Sequence, residues 1–380
     1  HDYEGTKLSE PTCTEPGVKT YTCTCGEGTY TEPIDALGHT PGDAATCSAA
    51  QICTVCQTEL APAKGHDGLG NGKVCPDCDK FTLSGANMLL GNAVEMNYYI
   101  SKSLVKDGYY AVLTKYGEET ATNPANIVYT IEKSDWESYN SSLYRVTFPN
   151  IAAKEMADAI VVEIYAADGT LVSIPYTRGV KDYLLMGYET IWTSGSKEHE
   201  LSRTWAIDAL NYAAEAQLYF EYREENLANA GLTEEQLAYA TKTAEIVDYS
   251  AKGANCKGSN LTLASNICMN TFFNLPADTT GMYAIAEFTN HLGHKVTTEP
   301  ITEIHTSGSN RGFKIEAMVT ADARQLVTVT VYNADGTVFG TCEDSVESYV
   351  ARAIKNNGKG VDLYKAALLF CDSSRAYLHR

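Results

Sequence analysis

The chain has 380 residues, a length that suggests two or three domains. Its residues are 44% hydrophobic and 10% aromatic, which excludes a mainly disordered protein. Its 48 acidic against 29 basic side chains give a net charge of −19. Such a surface repels nucleic-acid phosphates and anionic headgroups, and no apolar run in the sequence is long enough to cross a bilayer. We therefore expect neither nucleic-acid binding nor direct membrane contact. The sequence opens at His1 without a cationic and apolar leader, which is typical of a mature protein or an excised fragment.

The distribution of cysteine sets the first part of the chain apart. Eight of the 12 cysteines fall within residues 1–80, a stretch rich in Thr, Gly, Pro and Glu and poor in long apolar runs. Such a stretch cannot bury enough apolar surface to hold itself together, so it needs cross-links. We predict a Cys/His-rich repeat region over residues 1–80 and two further modules over 81–250 and 251–380.

The first 80 residues contain two full copies of one sequence repeat and the beginning of a third. A full unit has a Cys, a close Cys pair and a Gly-His, as in "ATCSAAQICTVC…APAKGHD", and the third unit stops after "KVCPDC". Zinc prefers four tetrahedral Cys or His ligands, and a Cys-x-x-Cys turn supplies two of them. We predict structural zinc held within each unit, by Cys13, Cys23, Cys25 and His39 in the first and by Cys47, Cys53, Cys56 and His66 in the second, with Cys75 and Cys78 as a further pair.

Disulfides are the alternative for these thiols. Eight cysteines can pair completely in an oxidising compartment, and Cys23-x-Cys25 is one residue shorter than a normal zinc turn. The recurring Gly-His favours metal, because disulfides have no use for histidine, and a mixture of the two chemistries stays open. Either way we expect a structural role, since a closed four-ligand site leaves no position for a substrate.

These repeats resemble the Cys/His-rich "ATC…C-x-x-C…GHT" units that recur in large secreted proteins of gut Firmicutes. The segment "LNYAAEAQLYFEYREENLANAGL", which begins at Leu210, is similar to one that accompanies such repeats in surface proteins of gut Clostridia. The resemblance implies a secreted or cell-surface protein of a gut bacterium, with the repeats as a stalk or spacer. It implies no ligand.

Beyond the repeats, the sequence states one module twice. "NMLLGNAVEMNYYI" from Asn87 matches "NLTLASNICMNTFF" from Asn260, and "IVVEIYAADGT" matches "VTVTVYNADGT". In the second pair, β-branched residues run up to Asp-Gly and resume, which predicts hairpins that turn at Asp168-Gly169 and Asp335-Gly336. Four such blocks in one order indicate a duplication.

Each copy ends in a helical pattern. The apolar stripe steps by three and four residues, over Trp205, Ala209, Tyr212, Ala216 and Tyr219 in copy one and over Leu363, Ala367, Phe370, Ser374 and Tyr377 in copy two. The predicted fold is mixed α+β and mainly β: zinc-ribbon-like repeats, then two tandem antiparallel β-sandwiches, each closed by a C-terminal helix. A capping box at Thr233 and Gln236 predicts a connecting helix over residues 234–248.

The four later cysteines all lie in copy two. Disulfides within that module and buried free thiols are both open for Cys256, Cys268, Cys342 and Cys371.

Motifs of catalysis are missing from the sequence: it has no nucleophile elbow, phosphate loop or His-Glu-x-x-His. We therefore expect a non-catalytic binding or adhesion protein. The candidate binding residues are Trp136 and Tyr139, in a segment that has no aromatic counterpart in copy two, and Trp192. The expected partner is a host protein, for example an immunoglobulin or a mucin, or a glycan. The alternatives are an architectural spacer of a larger surface protein and a carbohydrate-active enzyme.

Overall fold

The computed structural model describes residues 2–90, 93–118, 125–242, 245–263 and 267–379. It divides into two compact units, one of residues 1–82 with 172–174, and one of residues 83–171 with 175–380. The fold is mixed α+β with antiparallel sheets, as the sequence predicts.

The first unit is built from short strands and turns. Its strands are β1 (Tyr3–Ser9), β2 (Gly17–Cys23), β3 (Thr29–Ile34), β4 (Gln51–Ile52) and β5 (Glu59–Ala61). The first three form one antiparallel sheet, and β4 pairs with β5 in a small hairpin. Among its described residues up to position 82, the buried apolar side chains are Cys13, Cys23, Ala45, Cys47, Cys53, Cys75 and Phe81. Cysteine thus takes the place that Leu, Ile and Val hold in an ordinary core.

The second unit contains two β-sandwiches. The first has β6 (Gly85–Leu90), β7 (Val94–Ser101), β8 (Tyr110–Tyr116), β9 (Asn126–Glu132), β10 (Glu137–Ser138), β11 (Leu143–Ile151), β12 (Ala159–Tyr165) and β13 (Tyr176–Thr177). The second has β14 (Ala251–Lys252), β15 (Cys256–Leu263), β16 (Ile267–Phe273), β17 (Tyr283–Thr289), β18 (Lys295–Thr297), β19 (His305–Ser307), β20 (Asn310–Ile315), β21 (Val327–Tyr332) and β22 (Val338–Asp344).

The two sandwiches share one strand order. Sheets β6-β7-β11-β10 and β13-β12-β8-β9 of the first correspond to β15-β16-β20-β19 and β22-β21-β17-β18 of the second, where β14 adds an edge. The predicted Asp-Gly turns are present, with Gly169 and Gly336 at φ +84° and +82°. A left-handed residue at this point lets the chain reverse into the next strand without steric cost. The duplication seen in the sequence is therefore a duplication of topology.

Alternating side chains fill each sandwich. In β12 the inward residues Ile160, Val162 and Ile164 are almost completely buried, and in β21 Val327, Val329 and Val331 are. Period-two burial is what half-buried antiparallel strands require. The second sandwich has its own apolar cluster, which includes Phe313 and Phe273.

Helices join the two sandwiches into one unit. They are α1 (Val180–Met186), α2 (Lys197–Phe220), α3 (Glu234–Leu237), α4 (Val346–Lys355) and α5 (Val361–Leu378). The predicted stripes of α2 and α5 face each other: the Trp205 ring stacks on Tyr377 with centroids 4.5 Å apart, and Tyr212 stacks on Phe370 at 5.5 Å. The two stripes therefore cover each other, and Leu368 and Cys371, which lie outside the stripe of α5, join the apolar cluster of the second sandwich.

The prediction of a connecting helix over residues 234–248 is wrong in length. The capping box of Thr233 and Gln236 forms, but α3 ends at Leu237. Beyond α3 the backbone bonds to side chains of neighbouring helices. Asp208 of α2 accepts hydrogen bonds from the Thr241 N–H and hydroxyl. Further on, Glu347 accepts the N–H of Val247.

Candidate functional sites

Four ligand atoms converge in a first cluster, formed by Cys13, His39, Cys53 and Cys56. The Cys13 and Cys53 sulfurs are 3.8 Å apart, and the Cys56 sulfur is 3.3 Å from His39 Nδ1. All four ligand atoms lie within 4.8 Å of one another.

A second cluster repeats this arrangement with Cys47, His66, Cys75 and Cys78. Here the His66 Nε2 atom is 3.4 Å from the Cys78 sulfur. The Cys47 N–H also donates to Asp77 Oδ2 at 3.0 Å, which ties the first Cys of one repeat to the Cys pair of the next.

The two Cys-x-x-Cys turns have one backbone design. The N–H of Gln57 donates to the Cys53 carbonyl at 3.0 Å, and the N–H of Asp79 donates to the Cys75 carbonyl at 2.9 Å. Gln57 and Asp79 both adopt positive φ, +61° and +58°. Each turn is therefore tight, and its two sulfurs lie on the same side of it.

Hydrogen bonds favour the anionic, cation-binding form of two thiols in the first cluster. Hydrogen bonds from backbone N–H groups, that of Cys56 first, lower the pKa of Cys53 to about 5. A hydrogen bond with the Thr58 hydroxyl also lowers the pKa of Cys56. Burial raises the pKa of Cys13 to about 11, so its proton must leave when a metal enters.

The donor atoms fit a tetrahedral metal. Zinc–sulfur bonds of about 2.3 Å and zinc–nitrogen bonds of about 2.1 Å place the ligand atoms of such a site about 3.5–3.8 Å apart. The observed separations of 3.3, 3.4 and 3.8 Å lie close to that range. Three sulfurs and one imidazole nitrogen per cluster make either group able to hold a metal ion.

The grouping predicted within each repeat is wrong. Each cluster takes its first Cys and its His from one repeat and its Cys pair from the following repeat. In the first cluster the cause is a hairpin: Cys53 and Cys56 lie in the loop that joins β4 and β5, and this loop folds back on the preceding repeat, where the N–H of Thr54 donates to the carbonyl of Thr40. The truncated third repeat therefore supplies what the second lacks.

Cys23 and Cys25 belong to neither cluster. Their sulfurs lie at disulfide-bonding distance from each other, with Cα atoms 5.2 Å apart. The spacing of one residue, which already departs from the zinc turn in the sequence, is the signal that separates them from the metal ligands. The region therefore contains two groups of residues that could hold a metal ion and one cysteine pair at disulfide-bonding distance.

Two of the three aromatic candidates are buried, contrary to what a binding role in loops requires. Trp136 is 6% exposed and donates its indole N–H to the Ile131 carbonyl at 2.9 Å. Trp192 is 8% exposed and lies so close to Gly187 that a Cβ there would meet its ring at 2.5 Å. Neither ring presents a face to a ligand. Polar residues flank both tryptophans in the sequence and predict exposed loops. In the structure each indole is buried and holds its loop against the protein.

Tyr139 is the exposed candidate, at 47%. Its ring lies against Tyr99, with centroids 4.8 Å apart, and the Arg145 guanidinium lies 5.8 Å from it. Arg145 in turn forms an ion pair with Glu137. This group of two tyrosines, an arginine and a glutamate forms an amphipathic surface on the outer face of the first sandwich.

The second sandwich carries a cross-link of its own. Cys256 of β15 and Cys342 of β22 lie at disulfide-bonding distance, with Cα atoms 5.6 Å apart, so they join the two sheets. Cys268 and Cys371 are buried thiols. In copy one, the position that matches Cys256 is the fully buried Leu83, so apolar packing replaces the cross-link there.

No known family model matches this chain, and no curated protein matches it either. Within the described residues, none of the helices is both long and apolar enough to span a membrane.

Proposed function

We propose that the repeat region is a zinc-held structural element. The observation that carries this proposal is the pair of closed Cys3His clusters, each with four ligand atoms within 4.8 Å. Zinc is the metal expected for three thiolates and one imidazole in tetrahedral geometry, and a closed set of four ligands suits structure and not catalysis.

We further propose that the whole chain is a non-catalytic, secreted or cell-surface binding protein, whose tandem sandwiches recognise a host protein or a glycan. The duplicated topology supports this, because two similar modules raise avidity for a repetitive partner. Tyr139, Tyr99 and Arg145 supply a candidate contact surface of the kind found in recognition sites, namely aromatic rings beside a cation.

The test is binding of the intact chain to a glycan array and to immobilised immunoglobulin and mucin. We expect at least one positive partner, and the Tyr139→Ala variant should weaken that interaction while Tyr249→Ala does not. Tyr249 is a matched control because it is also an exposed tyrosine of the second unit, at 60%. Silence on every surface by a folded, metal-loaded chain would contradict the proposal and favour the architectural spacer. Hydrolysis of a polysaccharide would instead favour the carbohydrate-active enzyme.

A further inference from the structure

The same hydrogen-bonded asparagine pair occurs in both sandwiches. Asn97 donates to Asn87 Oδ1 at 3.0 Å, and Asn270 donates to Asn260 Oδ1 at 2.8 Å. The members of each pair are direct neighbours across matching strands, β6 with β7 and β15 with β16. They lie on the face of the sheet opposite to the core, since the flanking Met269 belongs to the apolar cluster.

The two copies differ at the next strand. In copy one, Asn97 Oδ1 accepts a hydrogen bond from the Thr147 hydroxyl at 2.7 Å. In copy two, Lys314 stands directly opposite Asn270, as Thr147 does opposite Asn97. The Lys314 ammonium donates to Glu316 at 2.5 Å instead. Asn270 is 1% exposed, and its Oδ1 is a buried acceptor without a partner among the residues that the structure describes.

The direction of this oxygen follows from its amide partner. Asn270 Nδ2 donates to Asn260 Oδ1 and to Thr262 Oγ1, both at 2.8 Å, so the nitrogen faces β15. This network fixes the orientation of the amide. The oxygen therefore faces the other neighbour, β20, on which Lys314 lies.

A cavity of about 520 Å³ adjoins this position. Its polar lining is formed by Thr262, Glu303, His305, Thr306, Lys314 and Glu316. Thr262 and Lys314 flank Asn270 on its two sides, so the unpartnered oxygen lies between two residues of the lining. Ile301 and Ile304 give the cavity an apolar wall. Its size falls within the range of about 300–1,000 Å³ that is usual for small-molecule sites.

We propose that this cavity binds a neutral saccharide. The inference rests on the proposed binding function and gives it a second site and a ligand class. Saccharide hydroxyls both donate and accept, and this lining alternates carboxylates, hydroxyls and an ammonium within one small volume. The apolar wall suits the C–H face of a sugar ring. Nothing in the described part of the chain groups these carboxylates into a metal cluster, which leaves them as acceptors for hydroxyl groups.

Lys314 is the specificity-determining residue in this proposal. Its ammonium is held by Glu316, whose side chain is 60% exposed, so the lysine can turn aside. A ligand hydroxyl then reaches the Asn270 oxygen and supplies the hydrogen bond that Thr147 supplies in copy one. In copy one the matching acceptor, Asn97 Oδ1, is already used by the Thr147 hydroxyl.

The experiment is calorimetric titration of the full chain with six free sugars: glucose, galactose, mannose, fucose, N-acetylglucosamine and N-acetylgalactosamine. Each sugar is used at about 10 mM, which is ten times a Kd of about 1 mM. We expect at least one of them to bind. The Lys314→Thr variant, which copies the arrangement of copy one, should weaken binding by about tenfold, the effect of one lost hydrogen bond, without a lower melting temperature. Lys295→Thr, an exposed lysine of the same sandwich, is the matched control and should bind as the native chain does.

The outcomes separate this site from the proposed function. No binding by any of the six sugars, or equal binding by Lys314→Thr and the native chain, overturns the saccharide site. If the chain nevertheless captures a host protein or an array glycan, the proposed binding function stands without this cavity. A chain that fails in both experiments contradicts both.

Discussion

The two units of this protein are stabilised in different ways. In the repeat region, five of the seven buried apolar side chains named above up to residue 82 are cysteines, and the ligand atoms of its two clusters lie within 4.8 Å of one another. In the sandwich unit, alternating aliphatic residues and facing helices bury an ordinary core, as in the cluster around Phe313 and Phe273. On the zinc proposal, a few strong bonds order the short, polar repeat region, whereas many weak contacts order the longer sandwich unit.

The comparison predicts that the two units respond to opposite treatments. Metal removal should unfold the first and spare the second, and loss of an apolar side chain should do the reverse.

Chelation should give the largest effect. Because structural zinc contributes about 10–16 kcal/mol to folding of small domains, its removal should expose the amides of both Cys-x-x-Cys turns to solvent. Hydrogen-exchange mass spectrometry of the full chain with a strong chelator measures this. We expect fast exchange around Cys53 and Cys75 and unchanged protection in β12 and β21. Retained protection of both turns in a chain shown to be metal-free would contradict the comparison.

Loss of one ligand should sharpen the assignment of the clusters. Cys75→Ser removes a ligand of the second cluster alone, so the chain should lose one of its two metal ions and keep the first cluster intact. Cys23→Ser is the matched control and should keep both, because Cys23 belongs to neither cluster. Elemental analysis of the two variants gives the answer. Loss of metal in the Cys23 variant would favour grouping within each repeat.

Truncation of a buried indole should affect only the sandwich unit. Trp136→Ala is expected to cost about 3–5 kcal/mol of unfolding free energy, since the indole is 6% exposed and its N–H is hydrogen-bonded. Tyr139→Ala, three residues on, should cost about 1 kcal/mol because it loses mainly its contact with Tyr99. Denaturant unfolding followed by tryptophan fluorescence measures both. Equal costs would mean that Trp136 is not the anchor of its loop.

Loss of the Cys256–Cys342 pair should cost less stability than loss of the Trp136 indole. The pair closes a loop with a sequence separation of 86, and a typical disulfide contributes about 2–4 kcal/mol. Cys256→Ala with Cys342→Ala should lower the stability of the second sandwich by that amount and leave metal content unchanged. Thermal unfolding with and without reductant measures the change. A native chain that is insensitive to reductant would argue against the cross-link.

Much of the fold follows from local patterns in the sequence. The Asp-Gly turns, the alternating strands and the stripes of α2 and α5 are dictated by neighbours within a few residues, and all appear in the structure. The end of α3 does not follow from its sequence, because it depends on Asp208, which lies 33 positions before its partner Thr241.

The metal ligands could be predicted as residue types but not as groups. Eight of the ten predicted ligands lie in the two clusters, since Cys-x-x-Cys and Gly-His are local signals. Which pair meets which histidine depends on a hairpin that folds back on the previous repeat, and no local signal records that. The burial of Trp136 and Trp192 could not be predicted for the same reason. Their neighbours in the sequence are polar, whereas burial depends on residues that are distant in the sequence and close in space.

The most direct test of the central claim is the metal content of the intact chain, purified without chelator and measured together with its free thiols. Two interlocked clusters predict two zinc ions per chain and no disulfide among Cys13, Cys47, Cys53, Cys56, Cys75 and Cys78. A metal-free, folded chain with these six cysteines paired as disulfides would contradict it.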